Sequence, residues 1–241
     1  MLINVDVKSL EVVVAAELSG DSVLKKEIVD KVDIHDSNRV AFNLGEGKPG
    51  RLVAKIFKFR LIYGGSAYSY ARDPDFTGVS SDVKFWQGVI DRYYTKYKGI
   101  KQWHDSLLDQ VKRTGIIEIP SGRFYRFEPE FKYGEWKWPL TTIKNYPVQG
   151  FGADLVMLAR IEAFKQLKES GLEFKMVGTI HDSIVCDVPS KNTKDVVLIL
   201  KNAVESVPQL CLKHFDYNFS LPLTCEIQVG KNKLDMEDFV W

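Results

Sequence analysis

The sequence predicts an α+β fold in which an antiparallel sheet with packed helices carries an inserted, mainly helical segment. Strand-like segments rich in β-branched residues lie near both ends of the 241-residue chain, whereas the middle consists of helix-length segments with cap residues and glycine stops. Strands from the two ends can pair in one sheet if the helical middle is inserted between them. The 45% hydrophobic and 27% charged content is typical of a globular protein.

The first forty residues predict one strand and then three helices. The strand is rich in β-branched residues and ends near Asp6. Asp21 or Ser22 is placed to cap the second helix and Asp33 to cap the third, because their side chains accept hydrogen bonds from free backbone N–H groups. The predicted strand covers residues 1–8, and the predicted helices cover residues 9–18, 22–30 and 34–42.

A basic helix follows a break in the chain, and it carries what we call the cation–aromatic stripe: Arg51, Lys55, Phe59 and Tyr63. Successive members are four residues apart, which on an α-helix is about one turn with a drift of roughly 40°. Two cations followed by two aromatics suit a ligand with a polyphosphate at one end and a flat base at the other. The plain alternative is a solvated basic face. Residues predicted to break the chain are Gly45, Gly47, Pro49 and Gly50, and those predicted to be buried are Val53, Ala54, Phe57 and Leu61.

The remaining elements follow from turn residues and β-branched runs. Pro74 between two aspartates indicates a loop, Pro120 to Gly122 a hairpin turn, and Gly171 a helix end. The predicted order is a loop over 65–81, two helices around Gly99 within 82–113, hairpin strands at 116–119 and 123–127, a helix over 148–169, strands at 174–180 and 184–188, a helix over 191–206 and a strand over 221–229.

Several protein classes are disfavoured by composition. No apolar run approaches the roughly 18 residues of a membrane span, and the N-terminus resembles no secretory signal. Three cysteines without CxxC spacing fit free thiols in a reducing compartment, so we expect a cytoplasmic location and no zinc site. The net charge of +1 says little about nucleic-acid binding, which needs a local basic field. Basic residues concentrate at Lys48, Arg51, Lys55, Lys58 and Arg60 and again at Lys96, Lys98 and Lys101.

Two acidic residues stand at corresponding places in the predicted sheet. Asp6 ends an apolar strand, and Asp182 lies in the tight link between two apolar strands. If these strands are neighbours, both carboxylates project from one edge and repel each other unless a cation lies between them. Mg²⁺ is the usual cation where phosphates react. The alternative is that both are ordinary strand-end and turn residues, and that His181 is an ordinary packed histidine.

Read together, the motifs resemble those of family A DNA polymerases, the DNA polymerase I type, and most closely the phage members. They occur in the family's order and span almost the whole chain. The matching segments are Asp6 to Glu11 with Leu18 to Asp21, Asp33-Ile-His35, the Arg51 to Gly64 helix, Asn145 to Gly150 with Ala153-Asp154, His181-Asp182-Ser183, and Leu221 to Gly230. The resemblance implies a partial palm over residues 1–30 and 115–241 and fingers over 31–114.

The resemblance also implies catalytic roles. Asp6 and Asp182 would bind two Mg²⁺ ions, with the main-chain carbonyl of Val7 as a further ligand. Lys55 would donate a proton to the departing pyrophosphate. The implied reaction is template-directed transfer of a nucleotide from a dNTP to a primer 3′-hydroxyl. The implied partners are dNTP and primer–template DNA, and the implied location is the nucleoid or a phage-infected cell.

Nucleotide and primer contacts follow from the same resemblance. Phe59 would stack near the incoming sugar and base and, as phenylalanine, discriminate against dideoxynucleotides. Glu11, held by Tyr63, would exclude a ribose 2′-hydroxyl. The other residues implied to contact the triphosphate are Arg51, Lys55 and His35, and those implied to contact primer or template are Asn145, Gln149, His181 and Gly64.

The chain also departs from the family pattern. Ser183 replaces the usual acidic residue of the third motif, Val7-Lys-Ser9 replaces Tyr-Ser-Gln, and Thr141 stands where a primer-binding arginine is expected. Met1 lies just before Asp6, so the thumb, the first part of the palm and the exonuclease domain would come from a separate chain. We therefore expect one half of a split polymerase, active only with its partner. A decayed half that only binds DNA or protein is the alternative, and a two-metal nuclease, which leaves the cation–aromatic stripe unexplained, ranks last.

Overall fold

The computed structural model describes residues 1–76, 78–132 and 134–240, and the chain divides into two compact units. The first unit comprises Met1–Glu11, Pro120–Gly122 and Gln149–Trp241, and the second comprises Val12–Ile119 and Arg123–Val148. These units group residues by compactness, and the assignment of palm and fingers by function stays a prediction. The mixture of helices and antiparallel strands confirms the predicted α+β class.

The elements alternate along the chain as follows. The helices are α1 Leu10–Ser19, α2 Ser22–Val29, α3 Ile34–Phe42, α4 Gly47–Ile62, α5 Ala67–Tyr70, α6 Val83–Lys96, α7 Lys98–Thr114, α8 Leu140–Glu169, α9 Thr193–Glu205 and α10 Val207–Phe215. The strands are β1 Leu2–Val7, β2 Ile116–Glu118, β3 Phe124–Arg126, β4 Glu130–Lys132, β5 Glu135–Lys137, β6 Lys175–Ile180, β7 Ser183–Asp187, β8 Cys225–Gly230 and β9 Glu237–Asp238. Within the described residues, no helix is long and apolar enough to span a membrane.

The first unit is built on one antiparallel sheet with the strand order β6-β7-β1-β8-β9. The central strand β1 comes from the N-terminus and its neighbours from the C-terminal part of the chain, as the sequence predicts. Ile3, Val5 and Val7 of β1 are buried, and successive strand residues point to opposite faces. Helix α9 packs on β1, and its buried residues are Val196, Val197, Leu200, Ala203 and Val204.

The second unit is mainly helical and has an aromatic core. Asp21 caps α2 by accepting from the Leu24 N–H, and Asp33 caps α3, as the spacing of acidic residues predicts. Phe57 on the buried side of α4 lies at the centre of the core, with ring centroids 5.1–6.2 Å from its neighbours. The surrounding rings are Phe42, Tyr70, Trp86 and Tyr93. Aromatic packing around Phe57 therefore anchors the buried side of α4.

Four local predictions are wrong. Helix α8 begins at Leu140 rather than at residue 148. The prediction placed its start after Pro147, since proline is expected to interrupt a helix, but the helix continues through this residue. The predicted loop over 65–81 contains the short helix α5, capped by Ser66. Helix α4 begins at Gly47, inside the predicted break. The β4–β5 hairpin, α10 and β9 have no counterpart in the prediction, since short exposed elements leave a weak periodic signal.

Candidate functional site

We call Asp6 and Asp182 of the first unit the carboxylate pair, and the sheet brings them together at one end. Asp182 lies in the two-residue link between β6 and β7. The Val7 N–H donates a 3.1 Å hydrogen bond to the Asp182 backbone carbonyl, which fixes this link beside β1. Asp6 itself is directly opposite Ser183 of β7. Strand register therefore makes neighbours of two residues that are far apart in sequence.

The carboxylate pair is electrostatically unfavourable without a cation. The pKa of Asp6 is raised to about 6, chiefly by burial and then by the charge of Asp182 and a side-chain hydrogen bond with it. Glu226 and Glu11 act in the same direction, so negative charge surrounds Asp6. A bound cation would relieve this repulsion, because an opposite charge within a few ångströms favours the ionised carboxylate.

The donor set of the carboxylate pair fits Mg²⁺. Mg²⁺ takes hard oxygen ligands, often one or two carboxylates completed by water and substrate phosphates. Among the described residues, no group of three or more His, Cys, Asp or Glu side chains is placed to hold a metal ion. A two-carboxylate site is therefore of the kind that needs substrate oxygens to complete it, and the Val7 carbonyl stays a predicted further ligand.

The turn beside the pair contains a strained residue. His181 has φ 54°, in the left-handed region that costs most non-glycine residues energy. Its side chain is exposed, which does not support the alternative of a packed histidine. An exposed polar side chain in a strained turn next to the carboxylate pair is consistent with a binding role, and primer contact stays a prediction.

The cation–aromatic stripe of the second unit forms one side of α4, as predicted. Arg51 and Lys55 are exposed, and Phe59 and Tyr63 are half-buried, so exposure decreases from the cationic to the aromatic end. Of the predicted buried side, Ala54, Phe57 and Leu61 are buried and Val53 is intermediate. The helix ends at Ile62, and Gly64 has φ 86°, which favours glycine.

Arg51 already has an anionic partner. Its Nε lies 2.8 Å from Asp33 Oδ2 and its Nη2 lies 3.2 Å from Asp33 Oδ1, a bidentate ion pair. The hydrogen bond from Arg51 is the largest cause that lowers the pKa of Asp33. Asp33 also caps α3 through the N–H groups of His35 and Asp36. A phosphate that binds Arg51 has to displace this carboxylate or share the Arg51 guanidinium with it.

His35 is held neutral beside the stripe. Its pKa is lowered to about 3, chiefly by burial and then by the positive charges of Lys58 and Arg51. Its ring centroid lies 6.1 Å from that of Phe59, and its Nδ1 is a buried polar atom without a hydrogen-bond partner in the described part of the chain. The ring is therefore neutral when no phosphate is bound, and contact of His35 with a phosphate stays a prediction. The neutral ring is suited to a hydrogen bond.

A buried polar cluster lies behind the stripe. Its members are Lys58, Glu27, Lys96, Asn38 and Tyr97. Lys58 is 1% exposed, and burial lowers its pKa to about 7 against the opposing effect of Glu27. Lys96 Nζ lies 2.8 Å from Glu27 Oε1 and 2.9 Å from Asn38 Oδ1. The Tyr97 hydroxyl lies 2.6 Å from Glu27 Oε2. This cluster joins α2, α3 and α6 to the inner side of α4.

The predicted primer-contacting residues of α8 lie one turn apart. Asn145 belongs to the second unit and Gln149 to the first, because the unit boundary crosses this helix. Asn145 Oδ1 is buried without a hydrogen-bond partner among the described residues, which marks an unmet polar group. A Cβ at Gly64 would stand 3.3 Å from the Thr141 Cα, so α4 ends against the start of α8.

Two residues of these sites were not identified from the sequence. Glu226 is directly opposite Asp6 in the β1–β8 pairing, and Asp33 was recognised only as a cap and a motif residue. Alternation in the closing strand marks Glu226 as a polar position, but only the register places it beside Asp6. For Asp33, the partner lies 18 residues away, beyond any periodic signal.

Comparisons with known proteins agree on one family. The family model described as DNA polymerase family A matches residues 1–235. The thermostable DNA polymerase I of Thermus aquaticus is 26% identical over 99% of this chain, which covers 27% of that protein. DNA polymerase I of Aquifex aeolicus is 28% identical over 86% of this chain, covering 36% of that protein. The chain thus spans about a quarter to a third of the length of these relatives.

A solved structure has the same fold. The POL domain of Pol1 from M. smegmatis, in complex with DNA primer–template and dNTP, superposes with a TM-score of 0.81 at 18% sequence identity. The match covers 96% of this chain and 39% of that one. At this identity, the similarity establishes the fold alone.

Proposed function

The chain belongs to DNA polymerase family A, and from this premise we propose that it is a DNA-directed DNA polymerase subunit. The proposed reaction transfers a nucleotide from a dNTP to a primer 3′-hydroxyl under the direction of a template. The observation that carries the proposal is the carboxylate pair, which strand register holds together although its two charges repel. A protein that only binds a partner gains nothing from this repulsion.

In the proposed mechanism, Asp6 and Asp182 would hold two Mg²⁺ ions, with the carbonyl of Val7 as a further ligand. Bound Mg²⁺ supplies Lewis-acid stabilisation of the charge that develops on the reacting phosphate oxygens. The carboxylate pair places two negative charges close together. A bound cation relieves the repulsion between them, and this relief favours cation binding.

The cation–aromatic stripe is proposed to bind the nucleotide. Arg51 and Lys55 place positive charge where the triphosphate would lie, and the neutral His35 offers a hydrogen bond. Lys55 is proposed to donate the proton to the leaving pyrophosphate. Phe59 offers a half-buried ring for stacking against the sugar and base.

Sugar selection and primer contact complete the proposal. Glu11, with Tyr63, would exclude a ribose 2′-hydroxyl and make dNTP the substrate. Primer and template contacts are assigned to Asn145, Gln149, His181 and Gly64. The unpartnered buried Oδ1 of Asn145 supports this assignment, because such an atom costs free energy unless a ligand satisfies it.

A second chain is part of the proposal. Non-specific DNA affinity depends on many phosphate contacts, which is the physical reason for a second DNA-binding part. We propose that a separate polypeptide supplies the thumb, the rest of the palm and any exonuclease, as in a split polymerase of phage type. Activity would then require both chains.

The test is primer extension with Mg²⁺ and dNTPs, by this chain with and without the product of the neighbouring reading frame. Asp182→Asn should reduce extension by the pair at least ~1,000-fold, because loss of a metal ligand costs several kcal/mol of transition-state stabilisation. Asp187→Asn is the matched control, since Asp187 lies at the far end of β7, opposite Leu2. Extension by Asp182→Asn at the parent rate would refute the proposal.

A catalytically decayed half that binds DNA or protein is the second candidate. It is favoured by Ser183, which is 5% exposed and whose hydroxyl donates to the Ile180 carbonyl, so that it offers the site no charge. Metal-dependent dNTP binding by the assembled complex separates the two candidates. Such binding supports the polymerase, and its absence supports the binding module.

A further inference from the structure

The carboxylate pair has an acidic neighbour, Glu226, on the adjacent strand β8. In the paired strands, Ser183 of β7, Asp6 of β1 and Glu226 of β8 form a row across the sheet. Directly opposite residues of antiparallel strands point to the same face, with Cβ atoms about 4.5–5.5 Å apart. Within this row, Asp6 therefore has the neutral Ser183 on β7 and a carboxylate on β8.

Ser183 itself cannot contribute charge. The Ser183 hydroxyl is committed to the Ile180 carbonyl at 2.9 Å, and the side chain is buried within the hairpin. Glu226, in contrast, is exposed on a strand whose backbone is fixed by pairing with β1 on one side and β9 on the other. A carboxylate on a rigid strand keeps its place relative to Asp6.

Lys8 moderates the charge of Glu226. Its Nζ lies 3.2 Å from Glu226 Oε1, and both side chains are more than half exposed. An exposed ion pair of this kind contributes little to stability, so it is readily exchanged for another partner. Glu226 is thus free to turn towards a cation bound at Asp6.

Building on the proposed function, we propose that Glu226 is a positioning residue for the divalent cation at Asp6. It would accept hydrogen bonds from the water molecules that Mg²⁺ retains, and it would supply from β8 a negative charge that Ser183 does not supply from β7. Mg²⁺ keeps several waters in most protein sites, and groups that hold such outer ligands change metal affinity by about 10–100-fold.

The test measures Mn²⁺ binding to the full chain by electron paramagnetic resonance of the free ion, without DNA or dNTP. Glu226→Gln should weaken Mn²⁺ affinity about tenfold, and Glu226→Asp should restore part of it. Lys8→Met should strengthen affinity several-fold, because it removes the competing cation. Opposite signs for these two substitutions are not expected from a purely structural role. Glu237→Gln, an exposed glutamate on the edge strand β9, is the matched control.

The outcomes separate this inference from the function on which it rests. If Asp182→Asn removes Mn²⁺ binding and Glu226→Gln stays within about twofold of the parent, Glu226 is a bystander and the inference is wrong. If Asp182→Asn leaves binding intact, the metal site itself is wrong and both proposals fall. Equal melting temperatures for the parent and Glu226→Gln verify that the comparison is between folded proteins.

Discussion

The two units treat charge in opposite ways. In the first unit, Asp6 and Asp182 present like charges to each other, and burial and repulsion raise the pKa of Asp6 to about 6. In the second unit, Arg51 and Asp33 form a bidentate pair of opposite charges. A cation at the first site relieves a cost, whereas an anion at the second must compete with a resident carboxylate. The structure therefore favours metal binding more than triphosphate binding.

The second unit contains an unfavourable charge too, but it is sealed from solvent. Lys58 is fully buried, and its pKa is about 7, because desolvation outweighs the attraction of Glu27. The folded pKa lies below the unfolded value of about 10.4, so the unfolded chain binds more protons between these values. Lys58 therefore makes the protein more stable as pH rises from 7. The cysteines oppose this trend above about pH 9, since burial raises the pKa values of Cys186 and Cys225.

The largest predicted effect in the comparison is that of Lys58→Met. At pH 7 the variant should unfold with a free energy about 2 kcal/mol greater than that of the parent, because a buried charge is replaced by an apolar side chain of similar length. Between pH 7 and 8.5 the free energy of unfolding of the parent should increase by up to about 2 kcal/mol, and that of the variant should change little. Urea denaturation at each pH measures both.

Lys48→Met is the control for this prediction, because Lys48 is exposed in the first turn of the same helix. A variant less stable than the parent at pH 7 would contradict the prediction. It would mean that Glu27 compensates Lys58 fully, and that the second unit has no unfavourable charge to compare with the carboxylate pair.

Much of the fold was predictable because its signals are local. The strand ending near Asp6, the caps at Asp21 and Asp33 and the β6–β7 link depend on residues a few positions apart. The start of α8 was wrong because tertiary packing overrides the local preference of Pro147. The register between strands that are distant in sequence, in contrast, is not encoded in any local pattern.

The candidate site residues likewise fall into those that local sequence patterns predict and those that long-range contacts place. The carboxylate pair and the stripe were predictable, the first from strand ends and the second from helical spacing. The partners that set their electrostatics were not, since Glu226, Glu27 and Asp33 reach their places through pairing or packing across distant segments. The neutral state of His35 likewise depends on burial, which no spacing reveals.

A smaller effect is expected at the carboxylate pair itself. Because the folded pKa of Asp6 is raised, the folded state binds more protons between about pH 4 and 6, and this residue makes the metal-free protein less stable as pH rises through that window. Asp182→Asn should lower the pKa of Asp6 by removing the repelling charge. At pH 7 the gain in metal-free stability should be about 1 kcal/mol, since solvent screens a partly exposed pair.

Carboxyl carbon chemical shifts, followed by NMR across this pH range, measure the Asp6 pKa directly. Global stability alone does not suffice, because burial lowers the pKa values of His35 and His104 to about 3, and these residues make stability rise with pH in the same window. The difference between parent and variant cancels the histidine contribution. An unchanged Asp6 pKa in Asp182→Asn would show that burial and the other acidic neighbours, rather than Asp182, cause the shift.

The smallest predicted effect belongs to the opposite-charge pair. Asp33→Asn should keep the cap on α3, because asparagine caps helices as well as aspartate does, while removing the charge that holds Arg51. Both side chains are about half exposed, so the pair contributes at most about 1 kcal/mol. Fluorescence anisotropy of a labelled dNTP, with Ca²⁺ to prevent turnover, should show affinity rising by up to about fivefold.

Asp36→Asn distinguishes a specific effect from a general loss of negative charge, because Asp36 pairs with Arg39 at 2.7 Å and not with Arg51. Higher affinity in Asp33→Asn alone means that Asp33 occupies the place of a phosphate and that nucleotide binding displaces it. Lower affinity means the reverse, that Asp33 orients the Arg51 guanidinium for the triphosphate. In that case the second unit is organised for its ligand as the first is for its cation, and the contrast between the two units disappears.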